Sequence, residues 1–174
     1  VYGLVKRYSN PNFSNLDYLG IENDVDLITG DITDDANMNH LVRSIRQHEF
    51  YNLAAQSFVG SSLDLNKQTT EVNAMGVLNV LNAIVNQNPQ TRFYQASTSE
   101  LYGNANDEGV QNEKTPFHPR SPYGISKLCA YWMTVNFRES YSVHASNGIL
   151  FNHESPRRGS NFVTNKVVKT AVEI

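Results

Sequence analysis

The chain has 174 residues, of which 40% are hydrophobic and 18% charged, with a formal charge of −3. Such values fit one globular domain with a core of its own, and they argue against nucleic acid as the main partner and against any span of the ~18 apolar residues that cross a bilayer. The single cysteine, Cys129, cannot close an internal disulfide, which fits a reducing, cytoplasmic setting. The five histidines show no paired spacing that would hold a metal.

In chain order, residues 1–5 read as a strand with no initiating methionine before it. Residues 164–174 run into a helical pattern with no stop signal, so both ends are expected to continue in a longer protein. Lys6-Arg7-Tyr8-Ser9-Asn10-Pro11 follows the first strand. Such a stretch is either a solvated loop or, in a nucleotide-binding sheet, the place that meets the adenine ribose. An acid there selects NAD and a base accommodates the extra phosphate of NADP, so the basic residues predict NADP.

Residues 24–29 read as a strand turning out through Gly30-Asp31-Ile32. Asp34 and Asp35 can cap the next helix, whose Met38, Leu41, Val42 and Ile45 keep helical spacing. Residues 50–54 form a strand closing on Leu53-Ala54-Ala55-Gln56-Ser57, where small residues serve either a flat ligand or a tight turn. A helix over about residues 66–88 carries the apolar stripe Val77, Val80, Leu81, Ile84 and Val85. After a strand at 92–97 comes a polar loop, 104–119, long enough to serve as a lid or substrate loop. The helix at 123–140 bears Tyr131, Trp132, Val135 and Phe137, expected in the core or at a subunit interface, and a strand at 143–150 ends the alternation. Strands alternating with helices at this spacing predict an α/β fold, a Rossmann-like doubly wound parallel sheet. The Gly-rich phosphate turn of that fold is absent, and the chain is expected to begin just after it.

Two constellations carry chemistry. Tyr123 and Lys127 stand four apart at the head of a helix and share one face. A phenol titrates near ~10, and a neighbouring ammonium favours the phenolate, as a tyrosine acting as acid or base requires. Upstream, Ser97-Thr98-Ser99-Glu100 lies where a parallel-sheet strand ends, the usual place for chemistry in open sheets. Either fragment alone occurs by chance; both in this order form a specific signal.

With Thr98, Glu100, Tyr123 and Lys127 in hand, the chain resembles the extended short-chain dehydrogenase/reductases and, within them, the GDP-mannose 4,6-dehydratases. The most specific matching stretches are residues 52–57, 96–103, 121–127 and 147–159. The resemblance implies an NADP-binding Rossmann-like domain over residues 1–152 and the start of a GDP-sugar-binding portion over 153–174, with most of the substrate lobe lying outside the chain. It places NADP along Lys6, Arg7, Tyr8, Ser9, Asp31, Ile32, Leu53, Ala54, Ala55, Gln56, Ser57, Gln68, Lys127, His153 and Arg158. Tyr8 and Gln68 depart from the serine and tyrosine commonly found there. The GDP-sugar is implied at Ser99, Asn152 and the 161–166 segment, notably Val163 and Lys166. The basic loop would also reach a neighbouring subunit, giving a homodimer or homotetramer.

The implied reaction oxidises C4 of the hexose, with hydride passing to NADP, removes water across C5–C6, and returns the hydride to C6 to give GDP-4-keto-6-deoxymannose. Tyr123 would take the 4-hydroxyl proton, Lys127 would lower its pKa and hold the nicotinamide ribose, Thr98 would bond the 4-oxygen, and Glu100 would take the C5 proton. An epimerase or 4-reductase of the same superfamily would need no carboxylate at position 100. A dTDP-glucose dehydratase would show Asp-Glu after the threonine, where Ser99-Glu100 stands. A non-catalytic nucleotide-binding protein would usually have lost one of the four residues, and all four are present.

Overall fold

The computed structural model describes residues 1–8, 12–103, 109–160 and 162–173. Five strands alternate with helices: β1 (Tyr2–Val5), α1 (Ser14–Leu19), β2 (Asp26–Thr29), α2 (Asp35–Ile45), β3 (Glu49–Asn52), α3 (Asn66–Thr70), α4 (Gly76–Gln87), β4 (Arg92–Thr98), α5 (Pro122–Tyr141), β5 (Ala145–Leu150) and α6 (Val163–Glu173). All strand pairs are parallel. This is the expected α/β, Rossmann-like arrangement, but the strands form two sheets, β1–β2 and β3–β4–β5. Among the described residues β1 pairs only with β2 and β3 only with β4, so each has one free edge.

Local chemistry explains most boundaries. The Asp34 carboxylate caps α2 by accepting from the Asn37 N–H at 2.9 Å. Ser121 caps α5 by accepting from the Gly124 N–H at 3.0 Å, and Pro122 occupies the first turn, where its missing N–H costs nothing. The short α1 has too few residues to show a period and was not foreseen; Gly20, at φ 65°, closes it. The helix expected over 66–88 is one run in three parts, because residues Glu71–Met75 form a π-helical turn between α3 and α4.

The core lies where α2, α4 and α5 meet the three-stranded sheet. Met38, Val42, Val77, Val80, Leu81, Ile84, Phe93 and Phe137 are buried together there. Each fully buried aliphatic side chain of this kind contributes about 2 kcal/mol. Of the α5 aromatics, Phe137 joins the core, whereas Trp132 is 56% exposed. Among the described residues, no helix is long and apolar enough to cross a membrane, and no group of three or more His, Cys, Asp or Glu could hold a metal.

Candidate active site

β4 is the central strand of its sheet and runs to Thr98, paired with Leu150 of β5. Just beyond it, Ser99–Leu101 make one 3-10 turn, capped when the Thr98 hydroxyl accepts from the Glu100 N–H at 3.2 Å. The first turn of α5 rests directly on this turn. A Cβ at Gly124 would lie 2.9 Å from the Glu100 carbonyl oxygen and 3.0 Å from Pro119, so only glycine permits the approach. The strand end carrying Thr98 and Glu100 is thereby set against the helix start carrying Tyr123 and Lys127. The four residues singled out in the sequence come together.

Their electrostatics differ from the simple expectation of a phenol lowered by its lysine. Burial pushes the Tyr123 phenol above the ordinary tyrosine value; the Thr98 hydroxyl pulls the other way and the Glu100 carboxylate adds to the rise. The Lys127 ammonium stands 5.9 Å from the Tyr123 ring centre and donates to the Ala96 carbonyl at 2.9 Å. Lys127 is 3% exposed, and burial pushes it down to about 8. Desolvation therefore outweighs the charge–charge attraction in the protein alone, and the sequence motif could not reveal how deeply both groups are buried.

The depressed lysine gives a signed prediction. An unfolded lysine titrates near ~10.4, so between about pH 8 and that value the unfolded chain binds more protons and stability rises with pH. Below about pH 8 the full burial penalty is present. Lys127→Met should stabilise the fold at about pH 7 by on the order of 3 kcal/mol, less about 1 kcal/mol for the lost bond to Ala96. The gain should shrink as the pH approaches ~10. Thermal melts at both pH values check this, and a destabilised variant at neutral pH would contradict it.

A second cluster of expected residues lines a cavity of about 650 Å³ at the carboxyl ends of β1, β2 and β3. Lys6, Tyr8, Asp31, Ile32, Leu53, Ala54 and Ala55 all face it. Lys6 Nζ is 3.0 Å from Asp31 Oδ2, and the Thr33 N–H and hydroxyl donate to Asp31 Oδ1 at 3.0 and 2.8 Å. Burial alone would raise the Asp31 carboxyl, but the Thr33 bonds and Lys6 together hold it below the ordinary carboxylate value. A cavity at the strand ends, lined by small backbone-presenting residues and the Lys6–Asp31 pair, fits a dinucleotide.

The remaining expected residues are more scattered. Arg7, Ser57 and Gln68 are exposed, and Ser9 lies outside the described residues. His153 and Arg158 belong to a segment folded on itself: Arg158 Nη1 donates to the His153 carbonyl at 2.9 Å, and the guanidinium sits 4.0 Å from the Phe162 ring centre. The Phe162 ring meets Phe58 edge-on at 6.3 Å, which brings this segment beside the chain leaving β3. Ser99 is half-buried next to Glu100, whereas Asn152, Val163 and Lys166 are exposed. Asn161 lies outside the described residues.

Sequence reasoning missed Asn73. It is fully buried in the π turn, where a polar residue on the apolar stripe four before Val77 was the available signal.

A family model described as GDP-mannose 4,6 dehydratase matches residues 1–174. The chain belongs to that family. It is 50% identical over its whole length to the GDP-mannose 4,6-dehydratase of Sinorhizobium fredii and 47% identical to the GDP-mannose 4,6 dehydratase of Homo sapiens. It covers 51% and 49% of those proteins, so the chain spans about half the length of the curated relatives it matches. Among solved structures it resembles a dTDP-glucose 4,6-dehydratase double mutant from Streptomyces venezuelae with NAD bound, at a TM-score of 0.84 and 23% identity over 99% of this chain and 52% of that one. It also resembles RMD from Pseudomonas aeruginosa complexed with NADPH, at a TM-score of 0.78 and 21% identity over 91% of this chain and 57% of that one. These likenesses support the Rossmann-like fold.

Proposed function

We propose that this chain is the catalytic and cofactor-binding part of a GDP-mannose 4,6-dehydratase that converts GDP-mannose to GDP-4-keto-6-deoxymannose. The observation that carries the reading is the placement of Glu100 on the turn that supports the Tyr123 and Lys127 helix start. Oxidation and reduction at a carbinol ask only for the tyrosine–lysine pair; a carboxylate beside it supplies what elimination needs. The family membership of the chain supports the same choice over an epimerase or 4-reductase.

In this reading Tyr123 takes the proton from the 4-hydroxyl, and Thr98 donates to the 4-oxygen as it becomes a ketone. A bound nicotinamide supplies the acceptor for the C4 hydride and its later donor to C6. The ketone acidifies C5–H; Glu100 removes that proton and delivers it to the departing 6-hydroxyl, which leaves as water. The proton held by Tyr123, exchangeable with solvent, balances the one that C5 takes up as hydride reaches C6. Lys127 orients the cofactor ribose and places positive charge beside the phenol. Residues 1–152 form the cofactor domain and 153–174 begin the sugar-nucleotide portion, where Ser99, Asn152, Val163 and Lys166 would meet substrate.

NADP is the cofactor we favour over NAD, because Lys6 and Arg7 follow β1 where a 2′-phosphate would lie. The residues we assign to NADP are the cavity cluster together with Arg7, Ser9, Gln56, Ser57, Gln68, Lys127, His153 and Arg158. The exposed stripe Ile125, Cys129 and Trp132 along α5 supports a self-associating homodimer or homotetramer. The free Cys129 thiol agrees with a cytoplasmic site of action.

Full-length protein incubated with GDP-mannose and a trace of NADP⁺ should release the 4-keto-6-deoxy product with no net change in cofactor. Recovery of unreacted sugar, of a 4-epimer, or of stoichiometric NADPH would overturn the assignment. The 174-residue chain alone is expected to bind NADP⁺ more weakly than micromolar. It has ten glycines but no Gly-x-Gly phosphate turn, and its described strands form two separate sheets rather than one. Calorimetric titration checks this, and micromolar binding would contradict it.

A further inference from the structure

Two amide side chains stand where the core of a parallel sheet would ordinarily be apolar. Gln95 lies in the middle of β4, on the face it shares with the core residue Phe93, and none of it is exposed. Asn52, its register partner at the end of β3, is 2% exposed. Asn52 Nδ2 donates to Gln95 Oε1 at 2.8 Å, and Gln95 Nε2 donates to the Ala96 carbonyl at 2.9 Å. The same carbonyl accepts from Lys127 Nζ, also at 2.9 Å. A buried glutamine can be turned either way. Here the carbonyl demands a donor, which places Nε2 on it and leaves Oε1 for Asn52.

Ala96 is the first residue of β4 beyond the pairing with β3, since that register ends at Asn52 and Gln95. Its carbonyl has two lone pairs, and two side chains take them. With one direction filled by Gln95, the ammonium of Lys127 is left a single place to sit. Holding the strands together does not require this arrangement. An apolar pair of similar volume would serve as well, because a hydrogen-bonded buried pair contributes little net stability over its apolar replacement.

We infer that Gln95, braced by Asn52, is a positioning residue that fixes the Ala96 carbonyl and, through it, the place of the Lys127 ammonium beside Tyr123. The link runs across the sheet from β3 through β4 to α5, all in buried side chains and one backbone carbonyl. Errors of about 1 Å in placing a catalytic group cost on the order of 10²-fold in rate. The catalytic part of this inference rests on the dehydratase reading proposed above.

The test is Gln95→Met in the full-length protein. Methionine fills a similar volume but offers no donor to Ala96. The first appearance of NADPH in a single turnover should slow by about 10-fold, with the KM for GDP-mannose changed by less than about twofold. A spectroscopic signature separates positioning from mere packing. In cofactor-free protein labelled with ε-13C lysine, the Lys127 signal, identified by its loss in Lys127→Met, should titrate near 8 in the wild type. In Gln95→Met its midpoint should rise by about half a unit, because the carbonyl is no longer shared and the amide donor facing the ammonium is gone. The titratable groups beside it, Tyr123 and Glu100, are the same in both proteins. Asn52→Ser touches neither Ala96 nor Lys127, so it should move rate and midpoint the same way by less, and it serves alone if Gln95→Met does not fold. The double variant should be no slower than Gln95→Met, because both changes break one link.

A slowed rate with an unmoved or lowered midpoint would overturn the inference, as would a raised midpoint at wild-type rate. Should the wild-type protein leave GDP-mannose untouched, the proposed function falls. The Lys127 midpoint then judges the link by itself, and indifference to both Gln95→Met and Asn52→Ser would refute it.

Discussion

Glu100→Gln in the full-length protein should still bind GDP-mannose and NADP⁺ and still reduce a fraction of the cofactor, but it should lose water slowly. Glutamine keeps the size and hydrogen-bonding outline of glutamate and removes its basicity. Oxidation at C4 makes no demand on that basicity, because the proton leaves through Tyr123. Elimination does, because a group must take the proton from C5. The expected slowing of dehydration is about 10²- to 10⁴-fold, the usual worth of a general acid–base group. Exchange of C5–H with D₂O should slow in parallel, and NADPH absorbance should persist longer in a single turnover. Glu100 sits on a turn that also supports α5, so a merely structural role has a different signature. In that case the variant would lose stability and substrate binding together, with no selective block after the first hydride transfer. Wild-type rates of C5 exchange and water loss would remove Glu100 from the mechanism.

Tyr123→Phe should lower turnover by about 10²-fold or more, with cofactor affinity little changed. The phenol is 9% exposed and is packed between Thr98, Glu100 and its own helix turn, so phenylalanine fills the same space. What it cannot do is accept the 4-hydroxyl proton. Burial pushes the phenol up, which makes it a strong base once ionised and a scarce one at neutral pH. The variant should show no NADPH in a single turnover, in contrast to Glu100→Gln, because its block falls one step earlier. Near-normal turnover would exclude the phenol as the base.

The parts of this site that were readable from sequence are those whose spacing is itself the signal. Tyr123 and Lys127 had to share a helix face, and Thr98 and Glu100 had to leave a strand together, so their meeting followed from alternation of strands and helices. The α2 boundary was equally legible, because Asp34 is a capping residue placed before a clean apolar period. The π turn was not legible, since one extra residue in a helix barely alters a hydrophobic pattern that continues on both sides. Asn73 was hidden with it. The direction of the Tyr123 shift was also beyond reach, because it depends on how far α5 sinks against the 3-10 turn, a distance set by Gly124 and Pro119 rather than by the motif. Nor could the sequence show that Lys6 is engaged by Asp31, a pairing made across the ends of two strands.

In the proposed reaction one hydride leaves C4 and the same hydride returns to C6 of the same sugar while Glu100 manages the proton at C5. GDP-mannose carrying deuterium at C4, turned over by full-length protein with unlabelled NADP⁺, tests it directly. The product should carry that deuterium at C6 and one solvent-derived hydrogen at C5, with no label accumulating in the cofactor pool. Deuterium retained at C4, or released into free NADPH, would contradict it.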